Sequence, residues 1–114
     1  MHIKIISSPV DKDVLVQLAR DNYGDMIKGV ADLKKGIIAL GGELHADAES
    51  TLLQDGSAQA DLWGFNVYPD LPRDERIEYT SLINIRPSQK NTSMELKDPA
   101  LRKKLADLVN SLIA

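Results

Sequence analysis

The sequence predicts an α+β fold: a single four-stranded, mostly antiparallel sheet with the N-terminal and C-terminal helices packed on one face. Two observations lead to this prediction. The segments follow the order strand, helix or helices, strand, short helix, strand, strand, helix, and the last two strands are joined by a short, turn-rich connector. With 114 residues, 43% of them hydrophobic and 27% charged, the chain suits one globular domain over residues 1–114.

The N-terminal half is predicted to contain a strand, a helical segment and a buried strand. Residues 2–7 form the first strand, because isoleucines supply its β-branched bulk. Residues 9–35 carry apolar side chains at helical spacing and end in two lysines before Gly36, which predicts one kinked helix or a pair of helices. Residues 36–45 begin with an apolar run typical of a strand covered on both faces.

The C-terminal half is predicted to contain a short helix, two strands and a last helix. The short helix is capped by Asp47 and reaches about Gln54. Strands over residues 62–68 and 77–85 flank the connector, which favours an antiparallel hairpin. The Asp98-Pro99 pair then begins a helix with leucines and a valine along one side.

Composition excludes several classes of function. The chain has no cysteine, so disulfides, thiol nucleophiles and iron–sulfur clusters are excluded. No apolar run approaches the roughly 20 residues of a membrane-spanning helix. The N-terminus lacks the features of a signal peptide, so we expect a cytoplasmic protein. A net charge of −3 argues against a nucleic-acid partner.

Charge is distributed unevenly along the chain. Residues 43–78 carry nine acidic and two basic side chains, whereas residues 86–104 carry six basic and two acidic ones. The two regions are predicted either to be solvated faces that attract each other within the fold or to meet at a polar site.

Glu43 and His45 are the candidate catalytic residues. Residues two apart in a strand point to the same face, which places this carboxylate about 7 Å from the imidazole. Such a pair serves as a base and the group that orients it, or as two metal ligands. The alternative is a histidine bonded at a strand end beside a surface glutamate. The sequence leaves the metal and any cofactor unknown.

Five further residues are candidate substrate-binding groups. In the last predicted strand Asn84 and Arg86 share a face, and the neighbouring strand offers Asn66. An amide beside a guanidinium suits a planar anion such as a carboxylate or phosphate. Ser88 and Asn91 add donors from the loop that follows. The same loop is equally explained as a solvated connector before the last helix.

Three motifs carry a resemblance to a known family. They are GGELHAD at residues 41–47, DLWGFNVYP at 61–69 and INIRPSQKN at 83–91. The chain resembles a family of small prokaryotic proteins classed as a domain of unknown function, and the resemblance covers nearly its whole length. It implies no activity, cofactor or residue role.

Three functions therefore stay open at this point. The first is binding of an anionic small ligand or substrate at the Glu43/His45 and Asn84/Arg86 cluster, with hydrolysis as a possible reaction. The second is a homodimeric interaction module that uses the sheet face around Trp63 and Phe65, although core packing is the more common role of such residues. The third, which the acidic middle region disfavours, is an RNA-associated or ribonuclease-type protein.

Overall fold

The fold is that of a computed structural model, which describes residues 3–22 and 24–114. Within these residues, five strands, three α-helices and three short 3₁₀ turns follow one another. The strands are β1 (Ile3–Ile6), β2 (Ile27–Asp32), β3 (Ile37–Gly41), β4 (Leu62–Val67) and β5 (Ile77–Glu78). The helices are α1 (Lys12–Asp21), α2 (His45–Gln54) and α3 (Pro99–Leu112). The 3₁₀ turns are Gln59–Asp61, Leu82–Asn84 and Pro87–Gln89.

The strands form one antiparallel sheet in the order β1-β3-β2-β4-β5. β2 lies at its centre, with Ala31 opposite Ile38 of β3 on one side and Trp63 of β4 on the other. β5 pairs with β4 at only two positions, Asn66 with Glu78 and Val67 with Ile77. The α+β prediction is confirmed, but the sheet has five strands where four were predicted.

Helices cover the two faces of the sheet unequally. α1 and α3 pack on one face and bury the larger core, which includes Leu15, Leu105, Trp63 and Phe65. The prediction that the N-terminal and C-terminal helices share a face is confirmed, and so is core packing of Trp63 and Phe65. A second copy that paired with this chain would therefore have to use another surface. α2 packs on the opposite face through Ala48 and Leu52 over a smaller core.

The predicted helix over residues 9–35 is wrong beyond Asp21. The chain turns at Gly24, which has a φ of +86°, and Ile27–Asp32 then forms β2. This strand is almost wholly buried on both faces, so it lacks the apolar–polar alternation that marks a half-buried strand. The lysines before Gly36 belong to a hairpin turn. The carboxylate of Asp32 accepts hydrogen bonds from the backbone N–H groups of Lys34 and Lys35 there.

Four further predicted boundaries differ from the structure. α1 begins at Lys12 and not at Pro9. β3 ends at Gly41, and α2 begins at His45 instead of Asp47. The strand predicted over residues 77–85 ends at Glu78, because the backbone of residues 79–81 then pairs with that of residues 94–96 instead of β4.

The start of α3 agrees with the prediction. The carboxylate of Asp98 accepts a hydrogen bond from the backbone N–H of Ala100 at 2.8 Å, and Pro99 occupies the first helical position. Among the described residues, no helix combines the length and the apolarity that crossing a membrane requires.

Two arginines from the loop before β5 bind the end of α3. Arg76 is only 3% exposed and donates to the backbone oxygens of Ile113 and Ala114 at 2.9 and 3.1 Å, and to the side chain of Asn110 at 3.0 Å. Arg73 donates to the backbone oxygens of Asn110 and Ile113. Cations are favoured at this end of a helix, whose last carbonyl groups have no partners within the helix. The loop and the C-terminal helix are thereby held together.

Replacing Arg76 with methionine should destabilise the protein by about 2 to 3 kcal/mol, because one buried and two partly buried acceptors would lose a charged donor. Urea unfolding of the variant and wild type measures this difference. The control is Arg20→Met on the exposed side of α1, which should change stability by no more than about 0.5 kcal/mol. Equal losses in the two variants would contradict the role given to Arg76.

Candidate functional site

In the described part of the chain, two clefts lie between α2 and the segment that contains the 3₁₀ turn Leu82–Asn84. The His45 cleft has a volume of about 260 Å3 and is lined by residues that include Leu44, His45, Asn66, Ser81, Leu82 and Met94. The Arg86 cleft has a volume of about 440 Å3 and is lined by residues that include Glu49, Gln59, Leu82, Ile85, Arg86 and Ser88. Leu82 and Ile83 line both clefts.

Asn84 attaches the segment over residues 80–97 to the sheet. Its side-chain oxygen accepts a hydrogen bond from the backbone N–H of Gly64 at 2.8 Å, and its side-chain nitrogen donates to the Gly64 carbonyl at 3.0 Å. The same nitrogen donates to the carbonyl of Met94 at 3.2 Å. The amide thus makes the two bonds that a neighbouring strand would make with Gly64. Asn84 is fully buried, and its amide bonds to the protein itself.

Asn91 organises the loop within the same segment. Its side-chain nitrogen donates to the carbonyls of Asn84, Ser93 and Glu95 at 2.8 to 3.1 Å, and its side-chain oxygen accepts from the N–H of Lys97. Asn91 is 6% exposed. Of the three amides predicted to bind a ligand, Asn84 and Asn91 therefore bond to the protein itself, and neither is among the residues that line the clefts.

Arg86 lies in the Arg86 cleft against the only tryptophan of the chain. The guanidinium carbon is 4.7 Å from the centre of the Trp63 ring, and Nη1 donates to the carbonyl of Gln59 at 2.8 Å. Nη2 is buried and 3.6 Å from Oε2 of Glu49, and neither atom has a hydrogen-bond partner. Burial lowers the pKa of Arg86 below its ordinary value, and the negative charge of Glu49 opposes that shift.

Ser88 lies in the same cleft as Arg86 and is exposed to solvent. It belongs to the 3₁₀ turn Pro87–Gln89, where the side chain of Gln89 donates to the carbonyl of Ala60 at 3.0 Å. Gln89 and Arg86 both reach the backbone of the chain just before β4. Two side-chain hydrogen bonds therefore hold the 3₁₀ turn Pro87–Gln89 and Arg86 against the backbone of residues 59–60.

Glu43 and His45 do not share a strand, so the geometric argument that paired them is wrong. β3 ends at Gly41 because the chain turns there through Gly41 and Gly42, which both have positive φ angles. Glu43 is exposed in the bend that follows and lines neither cleft. His45 begins α2 and is 9% exposed.

A hydrogen bond to the backbone of β4 orients the ring of His45. Nε2 is 2.8 Å from the carbonyl oxygen of Phe65, which only accepts, so the proton of the neutral ring lies on Nε2 and Nδ1 is an acceptor. Burial lowers the pKa of His45 below 6.5, and the charge of Lys28 lowers it further. The Phe65 carbonyl and the Asn66 amide partly offset these effects.

Asn66 lines the His45 cleft from β4. Its side-chain nitrogen donates to Oε1 of Glu78 at 2.7 Å, which fixes the orientation of the amide. Its side-chain oxygen is buried and has no hydrogen-bond partner. The structure thus places His45 with Asn66 in one cleft and Arg86 with Ser88 in the other.

Sequence reasoning missed Glu49, Gln59 and Trp63 as the surroundings of Arg86. A signal for Glu49 exists, because residues four apart lie on one helix face and His45 and Glu49 have that spacing. The prediction placed His45 in a strand, so this helical spacing was not applied to His45 and Glu49. Among the described residues, no group of three or more histidine, aspartate or glutamate side chains could hold a metal ion.

The lowered pKa of His45 predicts a loss of stability in mild acid. The unfolded chain binds this proton more tightly than the folded protein, so stability should be full above about pH 6.5 and fall as the pH drops below it. Urea unfolding across this range should show a steeper decline for wild type than for His45→Gln, which keeps an N–H able to donate to Phe65. Identical profiles would contradict the assignment.

Comparison with known proteins places the chain in a family. No curated protein and no solved structure matches it. One family model, described as "Protein of unknown function (DUF5674)", matches residues 4–112. That match spans nearly the entire sequence, including both clefts and the three motifs that suggested such a family. The chain therefore belongs to the DUF5674 family of proteins of unknown function.

Proposed function

We propose that this protein binds a small ligand through a carboxylate or phosphate group in the Arg86 cleft. The observation that carries the proposal is the state of Nη2 of Arg86. This atom belongs to a residue that lines a cleft of about 440 Å3, and it is buried without a hydrogen-bond partner. A buried, charged N–H group without an acceptor is costly, so an acceptor supplied by a ligand would bind favourably.

The guanidinium is held in place before any ligand arrives. The guanidinium carbon lies over the Trp63 ring, and the bond from Nη1 to Gln59 fixes the rotation of the group. A planar donor group whose orientation is already fixed loses little conformational entropy when it binds an anion. Ser88, exposed in the same cleft, offers a hydroxyl donor.

Glu49 sets the affinity of such a site. Its Oε2 lies 3.6 Å from Nη2, close enough for charge attraction and too far for a good hydrogen bond. A bound anion would replace Glu49 as the nearest partner of Nη2. The negative charge of Glu49 would then repel the anion. Glu49 therefore balances the buried charge of the unliganded protein and weakens anion binding.

We propose binding at Arg86 and no catalytic reaction. His45 belongs to the other cleft, and Glu43 lines neither of them. A hydrolytic reaction at Arg86 would need an acid–base group in the Arg86 cleft, where Glu49 is the only histidine, aspartate or glutamate among the lining residues. Glu49 is engaged with the guanidinium itself.

Fluorescence of the single tryptophan, Trp63, tests the proposal directly, because its ring contacts Arg86. Titration with inorganic phosphate or acetate should produce a saturable change that chloride at equal ionic strength does not produce. Arg86→Gln should abolish the change. Glu49→Gln should tighten anion binding by roughly tenfold, because a nearby like charge is removed.

Lys90→Gln is the matched control, since it removes an exposed cation from the same loop and should leave the affinity nearly unchanged. Two results would contradict the proposal. One is an equal response to chloride, which indicates general screening. The other is weaker binding in Glu49→Gln, which indicates a ligand that donates to Glu49 instead of an anion.

A further inference from the structure

The His45 cleft has an apolar mouth. Leu44, Leu82 and Met94 line it, and these side chains are 59%, 71% and 41% exposed. They are three of the six large exposed hydrophobic side chains of the described residues. Ala46 and Ile83 extend the apolar lining. Apolar side chains gathered at the mouth of one cleft are typical of a site that receives an apolar molecule.

The same cleft contains an unsatisfied acceptor. The side-chain oxygen of Asn66 is buried without a partner, in a residue that is only 7% exposed. Turning the amide by 180° would not give the oxygen a donor. It would place the oxygen against Oε1 of Glu78, where the nitrogen now donates at 2.7 Å. A donor is therefore missing at this position.

His45 does not supply that donor in its neutral form. Its one ring proton is given to the carbonyl of Phe65, so Nδ1 is an acceptor like the oxygen of Asn66. Two acceptors from α2 and β4 thus belong to the lining of a cleft whose mouth is apolar. With His45 neutral, no described group of the protein donates to the oxygen of Asn66.

We propose that the His45 cleft is a second ligand site, which takes an uncharged organic molecule with an apolar body and one O–H or N–H donor. The apolar body packs against Leu44, Leu82 and Met94, and the donor bonds to the side-chain oxygen of Asn66. The cleft volume of about 260 Å3 suits a molecule no larger than a single substituted ring.

A neutral donor fits this cleft better than an ion does. An anion would be attracted by Lys28, but the oxygen of Asn66 and the lone pair of His45 cannot donate a hydrogen bond to it. A cation would be repelled by Lys28, which also lines the cleft. The two clefts therefore differ in specificity, since the Arg86 cleft is proposed for an anionic group and the His45 cleft for a neutral donor.

Phenol and anisole form a matched pair of probes, because they share a ring and only phenol has an O–H donor. Each is titrated into the full-length protein while backbone amide resonances are followed by NMR. Phenol should shift the resonances of Ala46, Ser81 and Leu82 and should bind at least fivefold more tightly than anisole. Equal binding, tighter binding of anisole, or no shift at these residues with phenol would overturn the proposal.

A blocking variant locates the site independently. Ala46→Phe places a ring at the mouth of the cleft from an exposed position of α2, and it should weaken phenol binding at least tenfold. Ser50→Phe, at another exposed position of the same helix outside the cleft, should leave the affinity unchanged. Undiminished binding in Ala46→Phe would overturn the proposal. None of these measurements depends on Arg86, so the anion site stands or fails separately.

Discussion

The position of the 80–97 segment against the sheet depends on two hydrogen bonds between the side-chain amide of Asn84 and the backbone of Gly64. β5 pairs with β4 at only two positions, which would leave the edge of β4 at Gly64 without hydrogen bonds. Asn84 satisfies both backbone groups of Gly64 with one side chain. Glycine is required there, because a Cβ on Gly64 would lie 2.5 Å from Cβ of Ser81. A side-chain amide thus replaces a strand, and the 80–97 segment lies against β4.

That placement creates the two clefts. The 80–97 segment contributes Ser81, Leu82 and Met94 to one cleft and Arg86 to the other, and residues of α2 line both clefts as well. His45 and Glu49 are one helical turn apart on α2, so each contributes its side chain to a different cleft. One helix and one irregular segment therefore produce a cationic site and a neutral, acceptor-bearing site side by side.

Features that depend on neighbours in sequence were predictable. Features that depend on contacts between distant parts of the chain were not. The Asp98 cap and the strand β4 were predictable, because each depends on neighbours in sequence. The strand β2 was not predictable, because Ile27–Asp32 is buried on both faces and its apolar spacing also fits a helix. In the site, Arg86 and Asn66 were identified by residue type and do line clefts. The structural role of Asn84 depends on a glycine 20 residues away, which no local pattern reveals.

The central claim is that Asn84 gives the edge of β4 the protection of a paired strand. Native-state hydrogen exchange of the Gly64 amide tests it most directly, because this N–H bonds only to the side-chain oxygen of Asn84 in the structure. The account predicts that this amide exchanges as slowly as the amides that pair β4 with β2. Exchange of the Gly64 amide at the rate of a solvent-exposed amide, while the β2–β4 pairing remains protected, would contradict it.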